Sequence, residues 1–120
     1  MKKFGWILGI VFVLGSLAPS SLSAQDPTKV DPKHYTVVFE NDKVRVIHIA
    51  YGPGEKSVMH YHPEGVAIFL TDAKASFLLP GGKVVKTRNK AGDVVWAPAG
   101  KHQPKNLGDS GFELYQIEMK

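Results

Sequence analysis

From residue 36 onward the chain is punctuated by turn residues at short, near-regular intervals. Glu40-Asn41-Asp42, Gly52-Pro53-Gly54, Pro63-Glu64-Gly65 and Pro80-Gly81-Gly82 divide it into brief runs rich in β-branched and aromatic residues. Gly and Asn accept the positive φ that tight turns need, and Pro withholds the amide that a helix interior or a central strand requires. The runs 36–39, 43–51, 58–61, 66–70, 75–79, 83–87, 94–97 and 112–119 are all too short for three helical turns. Val44, Val46 and His48 alternate with Arg45, Ile47 and Ile49, which is the period of a strand. The spacing predicts an all-β domain of about eight strands, a small barrel or sandwich.

The N-terminus reads differently. Met1-Lys2-Lys3 precedes an apolar run over 4–17, followed by Ser20, Ser21, Ser23 and Ala24, the order of a secretory signal peptide. The run meets Pro19 short of the roughly 20 residues a spanning helix needs. Residues 1–24 are therefore expected to be removed, leaving no stable membrane anchor and a periplasmic or secreted protein. Pro27 and Pro32 predict an extended lead-in over 25–35, ahead of one domain over 36–120. Fifteen Lys and Arg less Lys2 and Lys3 leave thirteen against eleven acids, a formal charge of +2. The lysines are scattered among acids and the only arginines are Arg45 and Arg88, which disfavours nucleic-acid binding.

The chain has no cysteine, so disulfides, thiolate ligands and cysteine nucleophiles are excluded. No Gly-x-Ser-x-Gly elbow is present, and Glu55, Glu64, Asp72, Asp93 and Asp109 fall mainly at turns, which disfavours covalent hydrolysis and paired-carboxylate catalysis. Imidazole is the chemistry left. His60 and His62 stand two apart in a predicted strand, so both side chains leave the same face and can pinch one cation. His102 follows the Pro98-Ala99-Gly100 bend and is the candidate third ligand. His34, in the polar lead-in, and His48, with no partner at ligand spacing, are read as non-ligands.

With these residues placed, the chain resembles the cupin superfamily. Gly54, His60 and His62 match the first cupin motif, and Gly92, Pro98, Gly100, His102 and Asn106 match the second. The resemblance spans about 39–118 and implies a double-stranded β-helix, jelly-roll-like barrel with a metal inside its open end. It departs from the pattern where Val66 and Ala67 stand in place of the motif glutamate, where Ala73 replaces a closing glycine, and where Lys101 alone separates Gly100 from His102. Glu64 sits in a turn, where a side chain faces solvent. What the resemblance then implies is one divalent ion on His60, His62 and His102: Fe(II) if the protein is an enzyme, with Zn, Ni, Cu or Mn as the other occupants.

Two functions follow from that resemblance. One is a dioxygenase-like enzyme acting on a small organic molecule; the other is a non-catalytic module that binds a metal or a small anionic ligand. A decayed site on an interaction domain is the third, blander reading. Val66, Ile68, Phe77, Leu79, Val95, Trp96, Tyr115 and Ile117 are the expected core. Trp96 and Tyr61 are candidate substrate walls, and Gln103 and Asn106 candidate orienting groups. The resemblance also implies a homodimer, with the edge at 36–39 able to add a strand.

Overall fold

The computed structural model describes residues 25–120; the signal-peptide expectation for 1–24 lies outside them. Asp26 caps a single helical turn, α1 (Pro27–Val30), by accepting from the Thr28 amide at 2.9 Å. The expected extended lead-in is thus corrected: Pro27 occupies the first helical position, where the amide it lacks has no partner to lose. No helix among the described residues is long and apolar enough to cross a membrane.

Nine strands follow: β1 (Tyr35–Glu40), β2 (Val44–Tyr51), β3 (His60–His62), β4 (Gly65–Phe69), β5 (Ala73–Leu78), β6 (Val84–Asn89), β7 (Val94–Ala97), β8 (Gly100–Asn106) and β9 (Phe112–Met119). They form a five-stranded sheet in the order β1-β2-β9-β4-β7 and a four-stranded sheet in the order β3-β8-β5-β6. This is the expected all-β double-stranded β-helix, but the two sheets are not closed into a barrel: among the described residues no ladder joins them. The strand unforeseen in the sequence is β8. Pro104 obscures it, yet its missing amide falls opposite Phe77 while flanking residues keep the ladder.

Ile47, Ile49 and Tyr51 point from β2 into the core, with Phe112 and Leu114 from β9 beside them. Ile47 is fully buried, which contributes about 2–3 kcal/mol. The expected core is partly on the wrong face. Val66, Ile68, Tyr115 and Ile117 point outward, and Trp96 is 56 % exposed, because β4 and β9 carry apolar residues on both faces. The inward positions instead hold Gly65, Ala67 and Phe69 on β4, and Ala73 and Ala75 on β5. Three inward alanines leave the interior unfilled, and a cavity of about 460 Å³ opens between the sheets.

Candidate metal centre

β3 pairs antiparallel with β8 so that His60 stands directly opposite His102 and His62 opposite Gly100. Strand alternation turns His60 and His62 inward together, and the cross-strand register brings His102 to them. The three expected ligands therefore converge, each offering one nitrogen, with all three nitrogens within 4.8 Å of one another. Small side-chain rotations reduce that span to the 3–4 Å that separates nitrogens sharing one ion at about 2.1 Å. Two motif glycines, Gly54 (φ 72°) and Gly92 (φ 90°), take the positive φ of tight turns, Gly54 ahead of the segment leading to β3 and Gly92 just ahead of β7, which explains why glycine stands there.

The outer nitrogens of two rings are fixed. His60 Nδ1 lies 2.8 Å from the Val58 carbonyl, and His62 Nδ1 lies 2.8 Å from Glu118 Oε2. A carbonyl and a carboxylate only accept, so each Nδ1 carries the proton and each Nε2 presents a lone pair to the interior. His60 is fully buried and its Nε2 has no hydrogen-bond partner. An orphaned buried acceptor is costly in a folded protein, and a cation shared with two further imidazoles satisfies it. His102 is held by packing, its ring centroid 5.0 Å from that of Phe77. Burial, reinforced by neighbouring imidazoles, pushes His60 down to about 4 and His102 down to about 3. Both are neutral, ligand-competent bases at physiological pH.

Glu118 belongs to a chain of partners that sequence reasoning missed. It is 2 % exposed and is gripped by Arg45, whose Nη2 lies 2.9 Å from Oε1. Arg45 also holds Asp26 at 2.7 Å, so α1 is tied through Arg45 and Glu118 to His62. Behind His60, Ser57 Oγ donates to Asp31 Oδ2 at 2.5 Å and lies 3.3 Å from His60 Nδ1. His34 spans Asp31 (2.7 Å) and Glu55 (2.9 Å) and stacks on Tyr51, so it is a buried brace and no ligand. The legible signal was polar Gln116 and Glu118 continuing the inward phase of Phe112 and Leu114.

The remaining candidates separate clearly. Glu64 is exposed and outside the cluster, and His48 pairs with Glu113 on the surface. Asn106 donates to the carbonyls of Gly52 and Ser110, bracing loops, and Gln103 donates to the Ser57 carbonyl. Tyr61 points away from the site beside Asp26 and Arg45, and Trp96, opposite outward Val66, turns its exposed ring to the outer face while Val95 faces the cavity. Of Val66 and Ala67, the two positions where the motif resemblance places a glutamate, Ala67 is the one that is buried and faces that cavity, so it supplies space where a carboxylate would stand.

Fold and histidine cluster together match the cupin fold: two facing sheets of a double-stranded β-helix with three histidines between them. Among solved structures, the chain is similar to a cupin domain from Bordetella pertussis at 27 % identity and a TM-score of 0.66, covering 72 % of this chain and 91 % of that one. A double-stranded β-helix protein from Klebsiella pneumoniae aligns at 26 % identity and a TM-score of 0.57, covering 71 % of this chain and 74 % of that one. The DMSP lyase DddQ from Ruegeria pomeroyi shares the fold alone, at 20 % identity and a TM-score of 0.55, over 75 % of this chain and 49 % of that one. No protein-family model and no curated protein matches the sequence.

Proposed function

We propose that the protein is an exported metalloprotein that holds one divalent ion on His60, His62 and His102 and acts on a small organic molecule in the adjoining cavity, in the manner of a dioxygenase. The observation that carries this reading is the pair of oriented imidazoles whose inner nitrogens meet His102 beside an open interior, with the His60 nitrogen orphaned. Three neutral ligands would leave a divalent ion's charge uncompensated, so a metal held there would supply Lewis acidity and, as iron, redox chemistry with dioxygen.

The chain's own residues do the rest. Glu118 keeps the proton on His62 Nδ1, Val58 does the same for His60, and Arg45 holds Glu118 in place. The apolar walls exclude bulk water from the inner face of the histidines. A non-catalytic module for anionic ligands is less favoured, because no Lys or Arg among the described residues lines the cavity. Iron-loaded protein reconstituted without air should consume oxygen when a broad set of small thiols, diketones and phenols is added. Stoichiometric iron with no oxygen uptake across that set would overturn the enzymatic reading.

A further inference from the structure

The cavity beside the histidines has a lining that selects its ligand. Its volume of about 460 Å³ is within the range of small-molecule sites, roughly 300–1,000 Å³. Phe69, Phe77, Leu79, Phe112 and Leu114 supply apolar wall, and no Asp, Glu, Lys or Arg among the described residues lines it. One amide interrupts this wall close to the site. Gln116 is 6 % exposed, sits opposite Ala67 in the β4–β9 ladder and lines the cavity with Ala67, His62 and His102. Its side chain makes no hydrogen bond to another described residue, although its neighbour in phase, Glu118, is fully engaged. An amide that lines the cavity without a side-chain partner among the described residues offers a ligand both a donor and an acceptor.

We infer that the cavity takes a small molecule with an uncharged, apolar body and a single oxygen-donor end, that end directed to the histidine centre and hydrogen-bonded by Gln116. This rests on the metal-site reading above and goes beyond it. Ala67 leaves room at the centre for the donor end, while a second charged group on the ligand would be buried against hydrocarbon with no partner. Zwitterionic substrates such as amino acids are thereby excluded.

The test uses zinc-loaded protein and four hydroxamates sharing one metal-binding head: benzohydroxamate, its 4-carboxy and 4-aminomethyl derivatives, and acetohydroxamate. Calorimetric titration should show benzohydroxamate binding at least 10-fold more tightly than each of the others. Gln116→Leu should weaken benzohydroxamate 5-fold or more with zinc content unchanged. Equal affinity for charged and uncharged bodies, or no effect of Gln116→Leu, overturns the inference while zinc stays bound. Should zinc fail to bind, the metal reading fails separately. The ligand class is then tested on metal-free protein by NMR: acetophenone should shift cavity-lining resonances and benzoate should not, and the reverse overturns it.

Discussion

Replacing Glu118 by Gln separates the centre's outer support from its ligands. The substitution keeps the shape of a residue 2 % exposed but removes the charge facing His62 Nδ1 at 2.8 Å and Arg45 Nη2 at 2.9 Å. An amide can turn either its oxygen or its NH2 toward Nδ1. In the second case the proton moves to Nε2 and one ligand lone pair is lost. In the first, the imidazole is a weaker base than one backed by a carboxylate. Removing such a partner costs 10–100-fold in metal affinity, or about 1.4–2.7 kcal/mol. Arg45 keeps Asp26 at 2.7 Å, so the fold survives the change. Competition against a chromophoric zinc chelator measures the affinity, with thermal unfolding as the folding control. A folded variant binding zinc within 2-fold of wild type would refute the role assigned to Glu118.

Other consequences are independent of that one. A Cβ on Gly65 would lie 1.9 Å from the Ile117 carbonyl oxygen, so Gly65→Ala should cost about 3 kcal/mol or more and lower the melting temperature by at least about 10 °C, read by scanning calorimetry. Metal-free protein should weaken in acid: His60 and His102 titrate near 4 and 3 when folded but near 6.5 when unfolded, so the unfolded chain binds more protons between those values. Stability present above pH 6.5 is lost as pH falls toward 4, by up to about 2 kcal/mol per histidine at pH 5, and urea midpoints that match at pH 7 and pH 5 would contradict it. Ala67→Glu points a carboxylate into the cavity, so it should destabilise the metal-free protein by about 3 kcal/mol or more and widen the melting-temperature gap between metal-loaded and metal-free forms; an unchanged gap would place residue 67 away from the ion.

The sequence carried the fold class and the His60–His62 pair because both depend on local rules, whereas His102 was placed by the motif resemblance and reaches them through the long-range β3–β8 register. Turn residues cut the strands, and a spacing of two puts His60 and His62 on one face whatever the rest does. The inward phase of β4 and β9 was illegible for a physical reason: Val66, Ile68, Tyr115 and Ile117 are more apolar than the residues that turn inward, since the outer sheet face is itself apolar. Choosing the wrong phase hid Gln116 and Glu118. Strand β8 was hidden by Pro104, and the brace from Asp26, Asp31 and His34 depends on α1 folding back over β2 and β3, contacts too distant in sequence for any local pattern to announce.

The most direct measurement is metal content by mass spectrometry of the purified, folded protein grown in mixed-metal medium, beside a folded His60→Ala, His62→Ala variant. A three-histidine centre predicts close to one divalent ion per chain in the wild type and its loss in the variant, iron favouring the oxygen chemistry proposed above. Equal metal in both proteins, or none in either, would contradict it.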